Sequence, residues 1–306
     1  MPKISVIIPC YNQGKYIDDA VDSVLSQTFQ DFEIIIINDG STDEFTISKL
    51  RDYSKPKTSV VHTKNQGASA ARNTGFKITQ SDFIQFLDAD DIILPAKFED
   101  QLQIFVRFPE TGICYTDYKI YDIDKNEFLY LPEKIFLGED PLRDFLFRWE
   151  RGLSIPIHCA IFRKEIWQDK LPFNEKLRAE EDWMMWCDLA SKRKIFHFLN
   201  KEYAYYRHHG NNKTKNKIEM QVSFFHVVYL LLNIIPEEYR EEFLVESILH
   251  SKKIMENDLY PDLVNQIIDL KNKFLVMDKT IDYKIGNTLL KPYRFFKSSF
   301  FGKKYL

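Results

Sequence analysis

At 306 residues, 44% of them hydrophobic and 28% charged, the chain has material for one large buried core plus an appendage and reads as a soluble globular protein. A net charge of −3 gives no general attraction for nucleic acid, so an anionic partner has to be held by local groups. Cys10, Cys114, Cys159 and Cys187 lie far apart with no C-x-x-C pair, which argues against a zinc site or a disulfide framework and for a reducing compartment.

Lys3 leads straight into the apolar run Ile4 to Ile8, without the h-region or cleavage site that export would need. That run predicts a strand stopped by Pro9, and Asn12 is placed to cap a helix with Ile17, Val21, Val24 and Leu25 on one face. Phe32 to Ile37 predicts a second buried strand, ending in Asn38-Asp39-Gly40. Ser41 then opens a helix with Glu44 as its capping-box partner. Thr58 to His62 reads as a third strand, followed by a helix from near Gly67, and Ser81 to Leu87 as a fourth. Strands alternating with helices at this spacing predict an α/β fold on a largely parallel, Rossmann-like sheet with helices on both faces.

The fourth strand ends in Asp88, Asp90 and Asp91. In an open α/β sheet ligands bind beyond the carboxyl ends of the strands. Three crowded acids there suit a hard divalent cation, Mn2+ or Mg2+, with positions left for phosphate oxygens. The other loops at that edge carry groups suited to a nucleotide. Tyr11 can stack on a base, Asp39 can accept a base N–H, and Arg72 can pair with phosphate. Each has a plainer alternative as a packing aromatic, a turn acid or a solvated helix charge.

The segments Val6 to Asn12, Asn38 to Asp43, Asn65 to Asn73 and Phe86 to Asp91 follow one another as in family 2 glycosyltransferases of the GT-A fold, which this chain resembles over roughly its first two hundred residues. The resemblance implies a nucleotide-diphosphate sugar donor, often UDP-linked, and sugar transfer with inversion. It implies that Pro9, Tyr11, Asp39, Arg72 and Asp88 bind the nucleotide or donor, and that Asp90 ligates the metal. Asn38 stands where many relatives carry Asp and receives no role.

Beyond Pro109 the pattern is less regular, although Ile113 to Asp122 alternates as a strand does. In Arg178 to Ala190, Asp182, Met185, Trp186 and Leu189 share one helix face, so Asp182 is expected to point inward, where burial raises a carboxyl's proton affinity. The plain reading of Glu180, Glu181 and Asp182 is a first turn that complements the helix dipole. The resemblance implies instead that Asp182 is the general base, with Glu181 in reserve. It also matches Tyr206-Arg207-His208-His209 to the segment closing many catalytic domains, with His209 as an imidazole that reaches the diphosphate or serves as a second metal ligand; the plain alternative is a solvated loop histidine.

From about Lys217 the chain is helical, with breaks at Pro236 and Pro261; Val222 to Ile235 is too short to span a bilayer and reads as a buried helix. The expected division is a GT-A domain over 1–215, with a nucleotide-binding half to about 110 and an acceptor side beyond it, then a helical subdomain over 216–306. Its last stretch, Lys284 to Leu306, mixes Lys, Arg, Tyr and Phe without an acid and is expected to rest on an anionic membrane surface or to dock on protein. The resulting expectation is a cytoplasmic enzyme, peripheral at the inner face of the plasma membrane, that adds one sugar to a glycan or lipid-linked acceptor in surface polysaccharide synthesis. Arg148-Trp149 lacks the preceding Gln of processive relatives, where Phe145 stands. A sugar nucleotidyltransferase and a non-catalytic nucleotide- or sugar-binding module are the alternatives. The first would need a Gly-rich basic loop that Gln13-Gly14-Lys15 poorly supplies.

Overall fold

The first strand, β1 (Ile4–Cys10), is buried at all seven positions, as a strand covered on both faces must be. In the computed structural model, which describes residues 1–129, 135–210, 212 and 216–258, it pairs in parallel with β2 (Phe32–Asp39) on one side and β4 (Phe83–Phe86) on the other. β3 (Thr58–Thr63) extends the parallel run beyond β2. Helix α1 (Ile17–Leu25) packs Ile17, Ala20, Val21 and Val24 against Ile4, Val6 and Ile8. On the opposite face α3 (Ala68–Ile78) comes so close that a Cβ on Gly75 would stand 2.4 Å from Ile7 Cγ2.

Three local expectations are corrected. β1 runs through Pro9 to Cys10. Its pairing with β4 ends at Ile7, so the N–H that proline lacks falls where β1 has a partner on one side only. Asn12 does not cap α1, whose N-cap is Tyr16 without a side-chain bond. With φ 55° it turns back, and its Oδ1 accepts from Thr42 N (2.7 Å) and Asp43 N (3.1 Å). The next helix, α2 (Glu44–Arg51), is capped by Asp43, which accepts from Thr46 N, while Ser41 Oγ accepts from Asn12 N. Two loops at the carboxyl edge are thus stitched to each other.

After β4 come β5 (Ile92–Ile93) and α4 (Lys97–Arg107). Lys97 is buried, its amine donating to Gln85 Oε1 and Gln101 Oε1, and burial pulls its pKa down to about 7. β6 (Ile113–Asp122), β7 (Glu127–Leu129), α5 (Pro141–Phe147), β8 (Ala160–Arg163), α6 (Glu181–Ser191) and β9 (Phe196–His208) complete the region. Among the described residues the nine strands form one sheet in the order β3-β2-β1-β4-β8-β6-β9-β5, with β7 on β6. β8 runs antiparallel to β4 and β6, and β9 lies parallel to β6.

A register shift in the β6–β9 pairing around Asp117 gives β9 extra residues. Such an irregularity bends a strand and increases its twist, and the far end of β9 pairs antiparallel with β5, setting Ile92 against Tyr205. Residues 207 to 209 are therefore delivered to the acidic loop after β4.

The chain divides into two compact units, Met1–Lys215 and Asn216–Leu306. In the second, α7 (Lys217–Leu232) and α8 (Glu237–Asp258) flank Pro236, and the Phe224 and His250 rings meet at 5.3 Å. Among the described residues no helix is long and apolar enough to cross a membrane. The basic aromatic stretch 284–306 and Pro261 lie outside the described residues.

Candidate active site

The parallel strands bring their carboxyl ends to one edge, so the loops after β1, β2 and β4 converge there. Pro9 ends the buried part of β1, and Tyr11 projects beyond it, 42% exposed, an open aromatic face. Asp39 is buried at the end of β2. Its Oδ1 accepts from Gln66 N (2.9 Å) and its Oδ2 from Gly67 N (2.8 Å), so it fixes the entry to α3. A carboxylate has about four acceptor positions, and these two backbone bonds leave it capacity for another donor.

In the acidic loop the three aspartates part company. Asp88 is the most exposed and pairs with Arg72 (2.5 Å). Asp91 is buried, accepts from Arg207 N (2.8 Å) and lies 3.0 Å from His158 Nδ1, and burial pushes its pKa up to about 6. It belongs to the scaffold. Asp90 sits between them, its Oδ2 accepting from Gln13 Nε2 (2.8 Å) and lying 3.0 Å from His209 Nε2. Sequence separation of 119 residues is closed by the β5–β9 pairing.

Among the described residues no group of three or more His, Cys, Asp or Glu is arranged to hold a metal. The Asp90–His209 pair nonetheless fits a shared ion. Two adjacent ligands of an octahedral cation, each at ~2.1 Å, stand about 3.0 Å apart, and Mg2+ or Mn2+ sites take few protein ligands when substrate phosphates supply the rest.

Arg207, to which the sequence reading gave no role, is the organiser of this corner. It is 4% exposed, and beyond its backbone bond to Asp91 its guanidinium donates to the Asp90 carbonyl, to Asp19 Oδ2 (2.5 Å) and to Tyr16 O (3.4 Å). Tyr16 in turn stacks on the His209 ring, with centroids 4.6 Å apart. An arginine inside the strand-like Tyr206-Arg207-His208-His209 run was the available signal, because a buried guanidinium requires carboxylate or carbonyl partners. Gln13 offered none.

On the other side α6 begins with Glu180 as its N-cap, in the left-handed region at φ 59°. Glu180 is buried and accepts from Trp149 Nε1 (2.9 Å), and burial holds its proton well above the usual carboxyl range. Trp149 lies parallel to Trp183 at 6.3 Å, which ties the turn after α5 to α6. Met185, Trp186 and Leu189 are buried as the helical pattern predicts, and Asp182 is half-buried. Asp182 Oδ1 accepts a hydrogen bond from the next backbone N–H, Trp183 N (2.8 Å). Burial, then the neighbouring Glu181 charge, push its pKa up to about 7. Glu181 reaches the other way, to Arg72 Nη1 at 2.8 Å. Arg72 therefore joins Asp88 of the acidic loop to the start of α6, and the guanidinium expected to meet phosphate already faces two carboxylates.

A mostly parallel α/β sheet with an acidic loop, a histidine and a carboxyl of raised pKa around one edge is the framework of a GT-A glycosyltransferase. The glycosyl transferase family 2 model matches residues 5–169, and the chain belongs to that family. It is 33% identical over 214 residues to an uncharacterized glycosyltransferase of Rickettsia bellii, an alignment covering 69% of this chain and 30% of that one. The chain thus spans about a third of the length of that relative and of its Rickettsia felis counterpart. A Haemophilus influenzae glycosyltransferase is 30% identical over 261 residues, 76% of each chain.

Among solved structures, Staphylococcus aureus TarS 1–349 in complex with UDP-GlcNAc aligns at TM-score 0.67 and 21% identity, covering 89% of this chain and 80% of that one. A Pyrobaculum calidifontis mannosyltransferase in complex with GDP-Man and Mn2+ aligns at TM-score 0.60 and 16% identity, covering 97% and 83%. At these identities the two structures establish the shared fold. Family membership places the chain among the glycosyltransferases, the first of the three readings left open by sequence.

Proposed function

We propose that the first unit is an inverting, metal-dependent glycosyltransferase that moves one sugar from a nucleotide-diphosphate donor, UDP-linked in the first instance, to a hydroxyl of a glycan or lipid-linked acceptor. The observation that carries this reading is the bridge Asp88–Arg72–Glu181, with ion pairs of 2.5 and 2.8 Å, which puts the acidic loop and the first turn of α6 at one site. UDP-GlcNAc in TarS and GDP-Man in the archaeal mannosyltransferase, bound on the same fold, support a nucleotide-sugar donor.

Tyr11 stacks on the base beyond the end of β1, beside Pro9, and Asp39 accepts a base N–H with the acceptor capacity left by the loop. Asp88 turns its exposed edge to the ribose or donor sugar. Asp90 and His209 would hold Mn2+ or Mg2+, whose charge would offset that developing on the departing diphosphate. Gln13, Arg207 and Tyr16 keep those two side chains in place through the contacts given above. Asp182 takes the proton from the acceptor hydroxyl as that oxygen attacks the anomeric carbon opposite the leaving group. One displacement inverts the centre without the second carboxylate nucleophile of a retaining glycosidase. A carboxyl whose pKa lies near 7 is matched to this task, being mostly ionised just above neutrality yet a stronger base than a solvated aspartate.

Wild-type protein with Mn2+ is incubated with a panel of nucleotide sugars including UDP-GlcNAc and GDP-mannose, and nucleoside diphosphate release is measured. Release that stops with chelator supports the reading. Binding of nucleotide without release from any donor would leave only a binding module.

A further inference from the structure

Arg72 lies in the second turn of α3 and is 5% exposed. Its Nη2 is 2.5 Å from Asp88 Oδ1 and its Nη1 is 2.8 Å from Glu181 Oε1. The guanidinium carbon lies over the Phe173 ring, 5.2 Å from its centroid. Phe173 is fixed by Asn73, which donates to its carbonyl (2.9 Å) and accepts from its N–H (3.1 Å). Both Nη nitrogens of this guanidinium are committed to carboxylates and its Nε is buried without a hydrogen-bond partner, so the two carboxylates and the ring set its position.

We infer that Arg72 is a positioning residue for Asp182, a strut tying the loop of Asp88 and Asp90 to the first turn of α6, and not a ligand of the donor's phosphates. The inference rests on Asp182 being the base. The charges acting on Asp182 are Glu181 from its own turn, Arg72 from α3 and Asp88 from the loop after β4; Glu180 at the cap faces it in turn, with Glu150 behind. Arg72 is the cation in that group, and Glu181 is the carboxylate it neutralises. Without it Asp182 stands among like charges, and a carboxyl so placed keeps its proton to higher pH. The same strut makes the occupant of Asp88 felt at the base, because whatever draws Asp88 from Arg72 changes the field at α6.

The test follows the Asp182 carboxyl by NMR titration of 13C-aspartate protein, the signal being assigned by its loss in Asp182→Asn. Binding of Mn2+ with UDP and with GDP is measured by calorimetry on the same samples. In Arg72→Met the Asp182 midpoint is expected to rise by about one pH unit, and in Arg72→Met/Glu181→Gln to return to within about half a unit of wild type. Affinity for the Mn2+–nucleotide that wild type binds should change less than about threefold, since the strut makes no phosphate contact. A loss of more than about tenfold in that affinity with an unmoved midpoint would make Arg72 a phosphate ligand and overturn the inference. Should Arg72→Met not fold, the double variant compared with Glu181→Gln alone carries the same two readouts. If Asp182→Asn turns over donor as wild type does, the base assignment fails whatever Arg72 does. If it is inactive while Arg72→Met leaves the midpoint in place, only the strut fails.

Discussion

On the donor side Asp39 and Asp90 each sit among hydrogen-bond donors, two backbone N–H groups for the first and the Gln13 amide and His209 for the second. On the base side Glu180, Glu181 and Asp182 follow one another in a single turn, and the carboxyls that lack a cation hold their protons, Glu180 well above the usual range and Asp182 to about 7. One residue class thus supplies two chemistries. Carboxylates surrounded by donors suit a cation and a nucleotide, whereas carboxylates crowded together and half withdrawn from water hold their protons to higher pH. The difference lies in neighbours supplied by the fold.

The largest break in this comparison is expected from Asp182→Asn, which keeps the shape of the side chain and removes its basicity. Turnover should fall by ~10³-fold, the range a positioned general base contributes, while nucleotide and Mn2+ affinities stay near wild type. Steady-state kinetics beside calorimetry checks this, and equal loss in both would mean the change has reached the donor side. A smaller effect is expected there: Asp90→Ala or His209→Ala should weaken Mn2+ binding by about 10- to 100-fold, as loss of one ligand or its support does. Electron paramagnetic resonance of free Mn2+ reads it directly. The Asp182 titration midpoint should be unmoved in both variants, and a shift would show that the two sides are not separable.

How far each side could be read in advance follows from the range of its interactions. The parallel strands were legible because each is a short apolar run between turn residues, and the acidic loop because its carboxylates stand directly after one of them. Caps failed where the partner is distant in sequence. Asn12 spends its side chain on Thr42 and Asp43, thirty residues on, and no local rule sees that bond. Arg72 was legible as a candidate partner for phosphate but not as a strut, since Glu181 lies 109 residues away. Arg207 became visible only when the β9 irregularity delivered it to Asp90. Helical periodicity placed Asp182 on the inward face, yet the left-handed backbone at Glu180, which turns that carboxyl toward Trp149, has no signature in a residue that is not glycine.

The smallest effect sharpens the comparison most, because it separates crowding from catalysis without any substrate. The folded protein keeps the Asp182 proton up to about pH 7, against 3.8 for an ordinary aspartate, so between those limits the native state binds more protons than the unfolded chain. Stability then falls as pH rises through that window and stays at the lower level above it. Asp182→Asn carries no ionisable group and resembles the protonated form, so it should gain stability over wild type at about pH 8 and none at about pH 3, below the window. Because Asp182 is only half-buried, solvent screening reduces the gain to ~1 kcal/mol. Urea unfolding at the two pH values measures it. An equal gain at both would mean that packing, and not a crowded negative charge, distinguishes the base side from the donor side. A gain confined to the higher pH would leave charge crowding at the start of α6 as the property that sets Asp182 apart from the carboxylates around Asp90.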